Sequence, residues 1–250
     1  LSKFYNTSHN FFTNNNEFKA LNKIDLNLYP GETLGLIGES GSGKTTLSNA
    51  ILKIHSFEEG EIFYEGNDVS TLKGEYLLNF RRQVQLIFQD PYASLNPLKN
   101  IMETIAEPIK YHRLIDDKNK IIDKVTELLN DVGLDESFLP RYPHELSGGQ
   151  RQRICIARAI CLNPKVIICD ECVSALDVSV QATILNLLNS LKKKYDFTYI
   201  FISHDLSVVK YMSDRIVVLF NGKVVEYEEA DKMFLNPKSN YTKKLIKASI

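Results

Sequence analysis

The run Thr33-Leu34-Gly35-Leu36-Ile37-Gly38-Glu39-Ser40-Gly41-Ser42-Gly43-Lys44-Thr45-Thr46-Leu47 decides the reading of this 250-residue chain. An apolar strand enters a loop that fits G-x-x-x-x-G-K-[ST] at every fixed position, and helix-forming residues follow. Gly38, Gly41 and Gly43 let the backbone approach an anion with no Cβ in the way, so successive N–H groups can point inward as a nest. Lys44 adds a mobile charge for the β- and γ-phosphates, and the helix beginning near it adds its positive end. Thr45 offers a hydroxyl to Mg²⁺. The strand before and the helix after are the context that this phosphate-binding loop requires.

Composition narrows the class. The chain is long enough for one large α/β domain or a domain with a smaller subdomain. With 30 basic against 31 acidic residues the net charge is −1, so no overall field draws it to nucleic acid or to anionic lipid. No run approaches 18 apolar residues and no signal peptide is visible, which predicts a soluble, intracellular protein that meets a membrane through a partner. Leu1 stands where Met would begin a natural chain, which points to a missing N-terminus. Cys169 and Cys172 form C-x-x-C, but no second such pair accompanies them. With Cys155 and Cys161 they read as small buried hydrophobes.

Ahead of the loop, residues 1 to 19 are polar and Asn-rich with interspersed aromatics (Phe4, Tyr5, Phe11, Phe12, Phe18), fitting an edge strand and a loose loop. Leu21 to Leu28 alternates in period two, which predicts a strand that Pro30-Gly31 turns toward the loop strand. Tyr5 could stack on a purine or simply pack at an edge; the residues alone leave both open. Beyond the loop helix (about 43 to 54) come a short strand and turn at 60–66, a helix at 77–82 and a buried strand at 84–88 ending in Gln89-Asp90-Pro91. A Gln at the C-terminal end of a parallel strand sits where α/β sheets place ligand contacts. Amphipathic helices over 101–111 and 119–132 predict a helical subdomain inserted into the α/β core.

Leu146-Ser147-Gly148-Gly149-Gln150 opens the next helix. Ser147 is a good N-cap and the glycines leave amides open for a second anion site; standing alone, the run is equally an ordinary capped start. Val166 to Glu171 is an apolar strand ending in two carboxylates. Placed after a buried strand and downstream of a phosphate loop, Asp170 suits Mg²⁺ and Glu171 suits the attacking water. A helix at 181–194 leads to the strand 198–203, after which His204 stands where a γ-phosphate sensor would sit. A hairpin across Asn221-Gly222 and a mixed helical tail complete the chain.

The ordered set of phosphate loop, Gln89, LSGGQ, the strand with Asp170-Glu171, Ser174-Ala175-Leu176-Asp177 and His204 resembles an ATP-binding cassette (ABC) ATPase over nearly the whole chain. Within that superfamily, residues 89–97, 175–182 and the tail from Asn236 to Leu245 are similar to the ATPase subunits of oligopeptide, dipeptide and nickel or metallophore importers. The resemblance implies an α/β P-loop NTPase core with a mostly parallel sheet (1–88 and 160–227), an antiparallel β subdomain, a helical subdomain with the signature (89–159) and a C-terminal helical tail (228–250).

It implies roles as well. Gly38, Glu39, Ser40, Gly41, Ser42, Gly43, Lys44, Thr45 and Thr46 would hold the phosphates of ATP and its Mg²⁺. Ser147, Gly148, Gly149 and Gln150 would bind the γ-phosphate of ATP held by an opposing ATPase. Thr45, Gln89 and Asp170 would serve the metal, Glu171 the water, His204 the γ-phosphate and Asp177 the dimer interface. Tyr5 would stack on adenine, because Ser2-Lys3-Phe4-Tyr5 resembles the end of the family's first strand. The implied partners are two transmembrane permeases, a second cassette in a head-to-tail dimer and an extracytoplasmic binding protein, with no nucleic acid. Such a chain works at the cytoplasmic face of the membrane. The segment from Gln89 to Glu107, with Tyr92, Leu95 and Leu98, is expected to dock a permease helix. Cys172 departs from the Pro usual after the acidic pair, and the tail lacks the cysteine cluster of some relatives, so no iron–sulfur site is expected. Translation and DNA-repair members of the superfamily carry two cassettes or long coiled coils, neither of which appears here.

Overall fold

The structure is a computed structural model that describes residues 1–7 and 16–248, with the backbone alone at 5–7, 16 and 17. Phe11, Phe12 and the side chain of Tyr5 lie outside the described residues. Along the chain run β1 (Lys3–Thr7), β2 (Asn16–Leu21), β3 (Thr33–Ile37), α1 (Lys44–Ile51), β4 (Phe63–Tyr64), β5 (Asn67–Asp68), α2 (Gly74–Gln83), β6 (Val84–Ile87), α3 (Pro91–Ser94), α4 (Ile101–Tyr111) and α5 (Lys118–Asp131). They are followed by α6 (Gly148–Ile160), β7 (Val166–Asp170), α7 (Val178–Tyr195), β8 (Thr198–Ile202), α8 (Leu206–Met212), β9 (Arg215–Phe220), β10 (Lys223–Glu229), α9 (Ala230–Leu235) and α10 (Asn240–Ala248). Two compact units result, residues 1–77 with 201–250 and residues 78–200.

In the first unit β3 is buried at every residue, as expected of an apolar run covered on both faces. It pairs in parallel with β9, Leu34 opposite Arg215 through Ile37 opposite Val218. β9 then turns back into antiparallel β10. Gly35 lets α8 lie close: a Cβ there would stand 2.6 Å from Val209.

The strand expected over 21–28 is not formed; the strand is β2, which ends at Leu21 and pairs antiparallel with β1. Lys23 takes a left-handed backbone (φ 54), which breaks the extended ladder. Ile24 exchanges two backbone bonds with Leu1, at 2.7 and 2.8 Å. The alternation reflects burial rather than pairing: Ile24 is buried and Leu26 and Leu28 half-buried between exposed Asp25 and Asn27. The Asn27 carbonyl accepts from Arg215 and Tyr227 side chains instead of a strand partner.

The second unit is built on α6, whose Ile154, Cys155, Ile156, Ala157 and Ile160 are buried. It packs against α3, α4, α5, α7 and β6, and β6 pairs in parallel with β7. α4 starts in a capping box between Asn100 and Glu103, and α5 starts on the Asp117 carboxylate. Their buried faces, Ile101, Ile105 and Ile109 against Ile121, Val125 and Leu128, follow the expected helical spacing.

All four cysteines are free and buried. The Cys172 thiol hydrogen-bonded to it, with burial, holds Cys169 well above the ordinary thiol range, which suits packing rather than redox chemistry. One expectation fails in this unit: Leu95 is 3% exposed and belongs to the core, whereas Tyr92 and Leu98 are 57% and 84% exposed. Asp90 caps the single turn of α3, and Arg158 of α6 holds the Ser94 carbonyl at 2.5 Å, which draws Leu95 inward.

Candidate functional site

The phosphate-loop motif occupies the turn between β3 and α1 in the first unit, as its context predicts. Gly43, the N-cap of α1, has φ 108, and a Cβ there would stand 2.6 Å from the Ala20 carbonyl, so only glycine fits. Gly38 is pressed against the Leu219 carbonyl, again leaving no room for a side chain. The buried Lys44 ammonium donates to the carbonyls of Gly38 and Glu39 at 2.7 and 3.0 Å. Gly222, at the β9–β10 turn, donates its N–H to the Ser42 carbonyl at 3.0 Å. Ser42 Oγ is buried without a hydrogen-bond partner among the described residues, an orphan of the kind that a phosphate oxygen would satisfy. Exposed Thr45 and half-buried Thr46 stand in the first turn of α1, where amides lack intrahelical partners.

His204 also belongs to this unit, exposed in the short link between β8 and α8. The next residue, Asp205, caps α8 by accepting from the N–H groups of Ser207 and Val208 at 2.8 and 3.3 Å. Against the upward push of burial, those bonds and the Ser207 hydroxyl hold its carboxyl low. Asp205 therefore fixes the backbone that carries His204. Tyr241 of α10 accepts a hydrogen bond from the Glu39 N–H at 3.2 Å, a contact with no signal in the sequence around the loop. Tyr5 lies in β1 opposite Phe18.

In the second unit Asp170 is the last residue of β7 and Glu171 follows it with φ 49. A glutamate held left-handed at a strand end is strained, and strain of this kind gathers where a side chain must be aimed. The turn is secured because the Glu171 carbonyl accepts from Ser174 N and Oγ, at 3.1 and 2.9 Å. Gln89 Nε2 donates to Glu171 Oε2 at 3.1 Å, so these two residues, 82 apart in sequence, are brought together. With its amide nitrogen so engaged, the oxygen is the atom Gln89 can offer a cation.

Ser147 and Gln150 form a reciprocal capping box, 3.3 Å from Gln150 N to Ser147 Oγ and 2.9 Å from Ser147 N to Gln150 Oε1. The two positions between them differ. A Cβ on Gly149 would stand 2.7 Å from Val180, but on Gly148 it would meet only Leu176, at 3.5 Å. The helix start is thus closed on the Gly149 side, and Ser147 and Gly148 are exposed. Asp177 precedes α7 without capping it through its side chain, leaving the carboxylate exposed.

The chain is similar to known proteins over most of its length. The family profile described as ABC transporter matches residues 21–174. The oligopeptide transport ATP-binding protein OppF of Streptococcus mutans is 51% identical over 233 residues, 93% of this chain and 76% of that protein. The dipeptide transport ATP-binding protein DppF of Lactococcus lactis is 49% identical over 230 residues, 91% of this chain and 74% of its own. Among solved structures, a dimeric post-hydrolysis state of the ATP-binding cassette MJ0796 bound to ADP and Pi superimposes with a TM-score of 0.79 at 30% identity, over 92% of this chain and 96% of that one. The chain belongs to the ABC transporter family, and within it is an ATPase cassette.

Proposed function

We propose that this chain is the ATP-hydrolysing subunit of a bacterial importer for oligopeptides or dipeptides, nickel or metal-chelate complexes being the other cargo class of the resemblance. The likeness to the oligopeptide protein across 93% of the chain carries the reading. Gly38 to Thr46 would take the phosphates of ATP, the Lys44 ammonium reaching phosphate oxygens from its place beside the carbonyls of Gly38 and Glu39. By the resemblance Thr45, Gln89 and Asp170 would serve Mg²⁺, each carrying an oxygen donor of the hard kind that suits this ion, and the ion would supply charge neutralisation to the phosphates.

Glu171, aimed by Gln89, would take the proton from the attacking water, and His204 would contact the γ-phosphate. Ser147 to Gln150 would meet the ATP of a second cassette in a head-to-tail dimer, with Asp177 at the interface. Two permease subunits and an extracytoplasmic binding protein would complete the assembly at the cytoplasmic face of the membrane, no helix among the described residues being long and apolar enough to cross it. Tyr5 would stack on adenine, and residues 89–159 would act as the helical subdomain.

The test is reconstitution of the chain with its permeases in vesicles. Hydrolysis stimulated by the binding protein loaded with an oligopeptide, together with peptide uptake, is the expected result. Stimulation by a nickel chelate alone would move the cargo, and stimulation by ribosomes or DNA without permeases would overturn the transport reading.

A further inference from the structure

We propose that Tyr241 is a positioning residue for ATP binding, its hydroxyl fixing the Gly38–Glu39 peptide group of the phosphate loop. The proposal rests on the reading of Gly38 to Thr46 as the nucleotide loop. The two ends of that single peptide group are held from opposite partners. Its carbonyl, on Gly38, accepts from the Lys44 ammonium at 2.7 Å. Its N–H, on Glu39, donates to Tyr241 Oη at 3.2 Å. A peptide restrained at both ends cannot turn over, so the carbonyl that holds the lysine keeps its direction and the ammonium keeps its place beside the loop.

The hydroxyl is itself held in place. The Tyr241 ring lies 4.3 Å from that of Phe220, tilted by 37°, and Phe220 is the residue before the Asn221-Gly222 turn whose Gly222 holds the Ser42 carbonyl. α10 is anchored in turn by Glu226 of β10. That buried carboxylate accepts the N–H groups of Lys238 and Ser239 at 2.8 and 2.9 Å, and Thr242, one residue beyond Tyr241, is fully buried. Burial, the largest influence, pushes the Tyr241 hydroxyl above its ordinary range, so it stays protonated and accepts the amide as a neutral group at physiological pH. The C-terminal helix thus reaches back 202 residues to set one peptide of the loop. A loop fixed before the nucleotide arrives loses less freedom on binding it, and that difference appears as affinity.

Tyr241→Phe separates this role from packing, because it removes the hydroxyl and keeps the ring on Phe220. In the full chain the dissociation constant for ATP is expected to rise about five- to ten-fold, the scale of one lost hydrogen bond. The melting midpoint without nucleotide should stay at the wild-type value. In the assembled transporter KM for ATP should rise in step, with kcat at saturating ATP unchanged. Wild-type ATP affinity in Tyr241→Phe overturns the proposal, as does a fall in nucleotide-free melting midpoint large enough to account for the lost affinity. Failure of the wild-type chain to bind ATP would instead overturn the nucleotide-loop reading beneath it.

Discussion

Gln89 and Glu171 meet through one hydrogen bond, Gln89 Nε2 to Glu171 Oε2 at 3.1 Å, across 82 residues of sequence. The bond ties a strand-end amide to a carboxylate whose backbone is already strained at φ 49. Glu171→Gln keeps an oxygen for Gln89 to donate to, so the geometry survives while the basicity is lost. ATP binding is expected to persist and hydrolysis to fall by about two or more orders of magnitude. Steady-state turnover near the wild-type rate would remove Glu171 from the chemistry.

A second prediction distinguishes the chain's own phosphate contacts from those made across a dimer. Lys44→Ala should weaken ATP binding by the isolated chain. Gly148→Asp should leave it almost unchanged, because that position has ordinary van der Waals space against Leu176 and the variant will fold. Loss of hydrolysis in the assembled transporter is expected from both. Equal loss of binding in the isolated chains, measured by titration, would refute the head-to-tail arrangement.

The third concerns docking. Leu98 is 84% exposed and Leu95 lies in the core, so on the proposed docking segment Leu98 and Tyr92 would be the large apolar side chains left to meet a permease helix. Leu98→Asp should spare stability and ATP binding while abolishing co-purification with the permeases and uptake. Leu95→Asp, by contrast, should unfold the second unit, since it buries a charge without a partner. Wild-type yield of the complex with Leu98→Asp would exclude the surface.

The fourth is a pH dependence at the tail. Burial pushes the Glu226 carboxyl up, but the bonds from the amides of Lys238 and Ser239, with the Lys238 charge, help to hold the group below its ordinary value of 4.5. A carboxylate lowered in the folded state stabilises it above the unfolded pKa, and that contribution is lost as pH falls through the folded pKa. Amide protection over Asn240–Ala248, taken relative to the intrinsic exchange rate at each pH, should therefore fall selectively as the pH drops below 4.5. In Glu226→Gln the exchange should be fast at neutral pH and lose that dependence; unchanged protection there would show that α10 is held by other means.

Much of this was legible because it is local. The phosphate loop, the Asp170 strand end, the Ser147 N-cap and the Asn221-Gly222 turn are written within a few residues each. What the sequence hid depends on distant partners. The alternation of Ile24, Leu26 and Leu28 reads as a strand, but Lys23 leaves the ladder and Leu1 supplies the backbone bonds. Leu95 looks like Leu98 as an apolar residue in sequence, and the Asp90 cap and the bond from Arg158 to Ser94, which hold the turn before Leu95, are invisible there. Tyr241 lies in the tail stretch that resembles the importer ATPases, but neither there nor at Asp205 does the sequence name the partner that each one holds.

The Gly222 amide on the Ser42 carbonyl, with Gly43 lodged beneath the Ala20 carbonyl, bears on the order in which the chain is made. During synthesis the glycine-rich turn leaves the ribosome long before the β9–β10 turn that braces it, separated by 180 residues of translation (222 − 42). A nascent chain that ends short of residue 222 carries the whole motif and lacks one wall of its cradle. Full competence to hold ATP is therefore expected only once residue 222 has been made, and a fragment stalled before it, though it bears the entire lysine loop, is expected to hold nucleotide more weakly than a chain that includes that turn.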